Sequence, residues 1–205
     1  MAVIHQTTMV PTKLELLTTW LPTRPWYRGT GRPVLRRAGG FRLDDPAGAV
    51  GIEFLVIVDG AGVEPVGYLV PFAYRGAPLD DAEEALVGTS MHGVLGQRWL
   101  YDGTRDPVVQ AQIAALVAGT AEPQAQHDSG KPDPSIRVTP VELVLPAPAP
   151  AVDGDGHTDI GDVVRVHRVL RPEAVSTAGQ VSVPWQLADG VRVRSVALST
   201  RPGVG

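Results

Sequence analysis

The most strongly β-branched run in the chain is Ile52-Glu53-Phe54-Leu55-Val56-Ile57-Val58. Branched and aromatic side chains pack well on a pleated surface, so this run predicts a buried strand. It is followed by a glycine-rich turn, Asp59-Gly60-Ala61-Gly62, after which residues 66–74 resume with strand character. Two such runs on either side of a tight turn predict an antiparallel hairpin at the centre of the fold.

On the N-terminal side of this hairpin, the sequence predicts one short helix and one strand. Apolar residues recur at helical spacing over residues 11–21, which favours an amphipathic helix. Pro22 and Pro25 end it, because proline cannot continue a helix. Residues 24–32 contain two glycines and are predicted to form a turn, and residues 34–43 are predicted to form a strand.

On the C-terminal side, the chain alternates between helix and strand patterns. Four acidic residues lie near the start of residues 78–88, and carboxylates at a helix start are favourable, so a second short helix is predicted there. Residues 96–102 are predicted to form a strand. The clearest helix covers residues 108–117, because Asp106 is a good N-cap and Pro107 suits the first helical position.

The last third of the chain is predicted to be rich in strands. Further strand patterns cover residues 138–145, 163–170, 181–187 and 191–198, with a proline-rich spacer at 146–150 and an acidic turn at 153–156. The sequence therefore divides into an α+β region at 1–120, a loop or linker at 121–135, and a β-rich extension at 136–205 packed on the same domain. This order of elements is typical of an α+β fold with antiparallel sheet.

Composition excludes several classes of function. The chain has no cysteine, which excludes disulfides, thiolate metal sites and cysteine nucleophiles. Its net charge is −4 and no cluster of lysine and arginine dominates, so no nucleic-acid partner is expected. The first residues do not resemble a secretory signal, and no apolar run approaches the roughly 20 residues that span a bilayer. We therefore expect a cytoplasmic protein without a membrane partner.

Motifs for catalysis are missing from the sequence. The glycine patterns that bind nucleotide phosphates are absent. His157-Thr158-Asp159 is similar to the start of a kinase catalytic loop, but the position of the magnesium-binding asparagine is occupied by Val164. Asp153-Gly154-Asp155-Gly156 has its glycines in the wrong places for a helix-flanked calcium loop. The sequence predicts no catalytic residue, no metal and no cofactor.

Aromatic residues form two groups in a chain that has few of them. Trp20, Trp26 and Tyr27 lie within eight residues, and Trp99 and Tyr101 form the second group. Sugar rings stack on exposed tryptophan and tyrosine, so either group could bind a sugar. The alternative interpretation is that they are large residues of the core.

Two segments resemble the N-terminal cap domain of bacterial maltokinases. Trp20-Leu21-Pro22-Thr23-Arg24-Pro25-Trp26-Tyr27-Arg28-Gly29 is similar to the opening of that cap. His92-Gly93-Val94-Leu95-Gly96-Gln97-Arg98-Trp99-Leu100-Tyr101-Asp102-Gly103, followed by Asp106-Pro107, is similar to a segment of short actinobacterial relatives of the cap. We expect the similarity to cover residues 8–119.

The resemblance implies a fold and a pathway. The family's cap is a curved antiparallel sheet packed against a few short helices, in a cystatin-like arrangement, and here a C-terminal antiparallel segment is added to it. In the family, the cap precedes a kinase that phosphorylates maltose with ATP and magnesium. The ATP-binding lysine, catalytic loop and metal-binding aspartate of that kinase have no counterpart in this sequence. The resemblance therefore implies the cap's fold without its host's reaction.

Three functions follow from these observations. The first is a non-catalytic cap-like module that docks on a sugar kinase or a related enzyme of maltose, trehalose or glycogen metabolism. The second is a small sugar- or α-glucan-binding protein that uses exposed aromatic residues. The third is an α-glucan-acting enzyme without a recognised motif. The candidate binding residues are Trp26, Tyr27, Arg28, His92, Arg98, Trp99 and Tyr101.

Overall fold

A computed structural model describes residues 8–126, 130–144, 148–173 and 177–201. It is an α+β fold in which a curved antiparallel sheet packs against two short helices, so the predicted fold class is confirmed. The helices are α1 (Lys13–Trp20) and α2 (Pro107–Val117), and short 3-10 helices cover Leu21–Thr23, Glu83–Ala85 and Gly103–Arg105. The strands are β1 (Met9–Val10), β2 (Leu35–Leu43), β3 (Gly51–Asp59), β4 (Val66–Arg75), β5 (Leu86–His92), β6 (Gly96–Asp102), β7 (Arg137–Thr139), β8 (Ala151–Gly154), β9 (His157–Ile160), β10 (Val164–His167), β11 (Val169–Leu170), β12 (Gln180–Gln186) and β13 (Arg192–Thr200).

The central hairpin forms as the sequence predicts. β3 and β4 pair antiparallel along their whole length, from Gly51 opposite Tyr74 to Asp59 opposite Val66. β2 pairs with the other side of β3, and β6 pairs with the C-terminal end of β4. β5 and then β1 continue the sheet beyond β6. β1 was not predicted, because two residues are too short to show a pattern.

Both faces of β3 are buried, which explains its continuous apolar run. Ile52 and Phe54 belong to the apolar cluster that includes the buried residues of α2. Leu55 and Ile57 belong to a second cluster, which includes the buried residues of α1. Because successive side chains of a strand point to opposite faces, the two helices cover the two faces of the central hairpin. A strand that is buried on both faces does not need to alternate between apolar and polar residues.

Two of the three predicted helices are confirmed, and capping explains where they begin. In α1, Thr12 accepts a hydrogen bond from the Glu15 backbone, and the Glu15 carboxylate accepts the Thr12 N–H at 2.7 Å. This reciprocal capping box satisfies two backbone donors that the helix itself leaves free. In α2, the buried Asp106 carboxylate accepts the N–H groups of Val108 and Val109. α2 ends where Gly119 adopts a φ of +74°, a conformation that glycine adopts without a steric cost.

The C-terminal strands join the same sheet. β12 pairs with β2 where Trp185 lies opposite Gly39, and β13 and β10 follow in order. β11 then pairs with β4, with Val169 opposite Tyr68. Strand pairing runs from β4 through β3, β2, β12 and β13 to β10. Only Arg168 separates β10 from β11, so the chain then returns to β4 through β11. The extension is therefore hydrogen-bonded to both sides of the three central strands, whereas the domain boundaries themselves stay a prediction.

The helix predicted over residues 78–88 is wrong. Only Glu83–Ala85 forms a single 3-10 turn, and β5 begins at Leu86. Leu86 pairs with Tyr101 of β6, and Val87 is buried in the cluster under α1. Cross-strand pairing and burial outweigh the weak helical preference of an acidic first turn.

The predictions for residues 121–150 are partly confirmed. The strand predicted over 138–145 is reduced to β7, with residues 140–144 irregular and residue 145 outside the described residues. Residues 146–147 of the proline-rich spacer also lie outside them. The following Ala149 is buried, and Gln110 of α2 bonds its backbone N–H and C=O, both at 2.8 Å. Of the predicted linker, the described residues 121–126 and 130–135 are irregular, as expected, although Gln124 pairs with the backbone of Arg42.

No helix in the described ranges is long and apolar enough to cross a membrane.

Candidate functional site

Trp26, a candidate sugar-binding residue, lies in the core. Its side chain is 0% exposed, and its ring contacts those of Trp20 and Tyr68 at centroid distances of 5.9 and 6.0 Å. The guanidinium of Arg168 lies 4.9 Å from the centre of the Trp26 ring. No ring face is therefore accessible to a sugar, which agrees with the core interpretation of this aromatic group.

Tyr27 and Arg28 follow Trp26 and tie their loop to other elements. The Tyr27 hydroxyl donates a hydrogen bond to Asp59 at 2.7 Å, and burial together with this carboxylate raises the pKa of Tyr27. The Arg28 backbone N–H donates to the Tyr68 hydroxyl at 2.9 Å. The exposed Arg28 side chain forms an ion pair with Asp155 in the β8–β9 turn. The side chains of Tyr27 and Arg28 both have structural partners. Within the first aromatic group, Tyr27 has a partly exposed ring, whereas Trp20 and Trp26 are buried.

The second aromatic group packs elsewhere. Tyr101 is 3% exposed, and its hydroxyl accepts the Leu79 N–H at 2.9 Å. Trp99 is half-buried and packs against the cluster that includes α2. Since Trp20 and Trp26 belong to the other cluster, the structure does not bring the two aromatic groups into one core cluster.

His92 and Arg98 shape the turn between β5 and β6. The Nδ1 atom of His92 accepts the N–H groups of Leu95 at 3.0 Å and of Val94 at 3.3 Å. The Nη2 atom of Arg98 donates to the Leu95 carbonyl at 2.5 Å. Side chains from both strands thus hold the backbone of the turn in one conformation.

This turn displays apolar side chains to solvent. Val94 is 61% exposed and Leu95 is 45% exposed. Beside them, Met91 of β5 lies directly opposite Val10 of β1, and both are more than half exposed. We call these four residues the hairpin surface. Sequence reasoning missed it, because the sequence predicts a helix over residues 78–88 and no strand before the turn, so Val94 and Leu95 were not recognised as part of a hairpin.

A buried charged network lies between β6 and the β10–β11 junction. Arg168 is 0% exposed, and its Nη2 atom donates to both carboxylate oxygens of Asp102, at 2.7 and 2.6 Å. Nη2 also donates to the Thr104 hydroxyl at 2.8 Å, and Nε donates to the Thr158 hydroxyl at 2.7 Å. The network therefore joins β6 to the C-terminal extension. Sequence reasoning missed Arg168, because Arg165 and His167 lie in the same predicted strand and nothing local distinguishes Arg168 from them.

A second buried carboxylate, Glu53, lies on β3. It accepts hydrogen bonds from Lys13 at 2.5 Å, Tyr74 at 2.6 Å, Arg37 at 3.0 Å and Gln126 at 3.2 Å. Burial disfavours the ionised carboxylate, but the charges of Lys13 and Arg37 and the hydrogen bonds from Lys13 and Tyr74 together outweigh burial and hold the pKa of Glu53 below its usual value. Two cations and two neutral donors satisfy this carboxylate, which is typical of a structural ion pair.

Metal binding has no support in the described ranges. Across residues 8–126, 130–144, 148–173 and 177–201, no group of three or more histidine, aspartate or glutamate side chains is placed to hold a metal ion. His157 and His167 are cross-strand neighbours on β9 and β10. The His167 ring lies 3.0 Å from the Ser199 hydroxyl, and burial together with the charges of Arg165 and His157 lowers its pKa to about 4.

We expect acidification to destabilise the protein through His167. In the unfolded chain this histidine titrates near its ordinary pKa of about 6.5. Between that value and the folded value of about 4, the unfolded state binds the proton first, so stability is full above pH 6.5 and is lost as the pH falls. The loss by pH 5 is about 2 kcal/mol. Urea unfolding at pH 7 and pH 5 measures it, and a His167→Asn variant with an equally large loss would contradict it.

Comparison with known families gives one match. Residues 20–106 match a family model described as the maltokinase N-terminal cap domain. The match covers less than half of the 205-residue chain and contains β2 to β6, and it is shorter at both ends than the similarity expected from the sequence. Both segments that carry the resemblance lie inside it up to Asp106. No curated protein matches the chain.

Proposed function

We propose, from the match of residues 20–106 to the maltokinase N-terminal cap domain, that this protein is a non-catalytic cap-like module. It docks on a sugar kinase or a related enzyme of maltose, trehalose or glycogen metabolism, in the cytoplasm. The observation that carries this proposal is the family match, since a cap domain works beside a catalytic partner.

The geometry of the matched segment supports docking over chemistry. Two of its buried carboxylates, Glu53 and Asp102, are 5% and 2% exposed and are held by arginine, lysine and hydroxyl partners. Catalytic carboxylates must instead reach a substrate. The hairpin surface, by contrast, is open to solvent and apolar, as binding surfaces commonly are.

The alternative, a sugar- or α-glucan-binding protein, depends on fewer residues than the sequence indicates. Trp26 and Tyr101 are buried, which leaves the partly exposed rings of Tyr27 and Trp99. Trp20 and Trp185 are also buried. A change of tryptophan fluorescence on titration with maltooligosaccharides would favour this alternative, because Trp99 is the partly exposed tryptophan. The third function, an α-glucan-acting enzyme, has no supporting contact on the described residues.

The proposal predicts a stable association in the native cell. We expect affinity purification of the tagged full chain to enrich a sugar kinase, identified by mass spectrometry, relative to a purification with the tag alone. The physical reason is that a docking module buries its apolar surface only in the complex. Recovery of the chain without any carbohydrate enzyme would contradict the proposal.

A further inference from the structure

The β5–β6 turn is fastened by side-chain hydrogen bonds and displays apolar residues. Turns usually carry glycine, asparagine, aspartate or serine, which suit both the backbone and the solvent. Here His92 and Arg98 hold the turn by hydrogen bonds to backbone atoms, so its shape does not depend on apolar side chains. Val94 and Leu95 nevertheless project into solvent. Preorganised apolar side chains bind a partner with little loss of conformational entropy.

The neighbouring strands extend this apolar area. Val10 and Met91 are 68% and 55% exposed and lie opposite each other in the β1–β5 pair. Directly opposed residues of antiparallel strands have Cβ atoms about 5 Å apart, so the two side chains form one continuous surface. The Gly93 N–H donates to the Thr8 carbonyl, which joins this surface to the turn. The hairpin surface thus consists of exposed apolar residues on neighbouring parts of the sheet edge, in β1, β5 and the β5–β6 turn.

The charge beside the patch is positive and unmatched. Among the described residues, no carboxylate lies within 4 Å of the Arg98 guanidinium, and its Nη2 atom bonds the Leu95 carbonyl. Arg75, on the neighbouring strand β4, differs because both its Nε and Nη2 atoms bond the Asp106 carboxylate. Arg98 is therefore a cation beside the β5–β6 turn that has no carboxylate partner among the described residues.

We infer that the hairpin surface is the docking site for the partner enzyme, and that the partner presents an apolar pocket with a carboxylate at its rim. The inference rests on the proposed function and adds to it the surface and the chemistry of the partner. Val94 and Leu95 enter the pocket, and Arg98 pairs with the carboxylate. An apolar centre with a charged rim is the usual composition of such interfaces.

The test repeats the affinity purification from native cells with full-length variants. In a Val94→Asp, Leu95→Asp double variant we expect recovery of the sugar kinase to fall at least about tenfold, because a few central apolar side chains supply most of the binding energy of an interface. Val63→Asp is the matched control: Val63 is fully exposed in the β3–β4 turn, at the opposite end of β4 from the β5–β6 turn. Its recovery of the kinase should equal that of the unchanged chain.

Two further variants isolate the charge. Arg98→Gln and Arg98→Glu both remove the guanidinium that bonds the turn, so any difference between them reports charge. We expect Arg98→Glu to recover less kinase than Arg98→Gln, by about threefold or more, since like charges across an interface repel. Equal urea midpoints for all variants establish that the fold is intact.

The outcomes distinguish a failure of the docking-surface inference from a failure of the proposed function. Loss of the kinase with the double variant but not with Val63→Asp supports the inference. A sugar kinase recovered equally with every variant overturns the surface and leaves the proposed function standing. No sugar kinase with the unchanged chain overturns both. Sedimentation of the unchanged chain as a dimer, abolished by the double variant, with no kinase recovered, would show that the occupant is a second copy and would overturn the inference.

Discussion

An Asp102→Ala variant is expected to unfold with a free energy about 3–5 kcal/mol below that of the unchanged protein. Asp102 is the only carboxylate on the described residues that bonds the fully buried Arg168. Removing it leaves a guanidinium charge in a site from which water is excluded. Urea unfolding followed by circular dichroism measures the loss.

A double-mutant cycle tests the cause of this loss. Arg168→Met removes the buried charge and keeps much of the side chain's volume. Combined with Asp102→Ala, it should be less destabilising than the sum of the two single changes, because no unpaired charge remains. Additive losses, or a loss below about 1 kcal/mol for Asp102→Ala alone, would show that the ion pair does not hold the extension to the sheet.

The second large effect is expected at Trp26. Trp26→Ala should lower the free energy of unfolding by about 3–5 kcal/mol, because a fully buried aromatic side chain is replaced by a cavity. The change also removes the ring face on which Arg168 lies. Trp99→Ala is the control, and its half-buried side chain should cost less. If Trp26→Ala left stability unchanged, Trp26 would be a surface residue and the sugar-binding interpretation would return.

The parts of the fold that sequence predicts well are those fixed by local chemistry. The β3–β4 hairpin follows from a branched run and a glycine turn, and α2 follows from Asp106 and Pro107 at its start. These patterns act within a few residues, so one sequence shows them. The strand β6 is predicted with its observed bounds, Gly96–Asp102, for the same reason.

The parts that sequence predicts poorly depend on distant partners. Residues 86–88 become strand because β6 lies beside them, which a local helix preference cannot anticipate. The pairing of the extension with β4 likewise cannot be predicted from the sequence, because only two residues, Val169 and Leu170, form it and they show no pattern of their own. Arg168 is buried in this strand segment because distant residues, above all Asp102, bond its guanidinium.

The candidate site can likewise be predicted from the sequence only in part. Sequence reasoning identifies the segments that carry the family match, and within them His92 and Arg98 do lie at the turn that forms the hairpin surface. It cannot distinguish a buried tryptophan from an exposed one, because both satisfy the same pattern. Trp26 is buried by contacts with Tyr68 and Arg168, which are 42 and 142 residues away in the sequence.

Reciprocal purification tests most directly whether the chain is a docking module. The sugar kinase enriched with this protein is tagged in the native cell and purified, and the amount of the untagged chain that accompanies it is measured by quantitative mass spectrometry. We expect the chain to be recovered in a fixed ratio to the kinase. A kinase preparation from native cells that contains none of this chain would contradict a docking role.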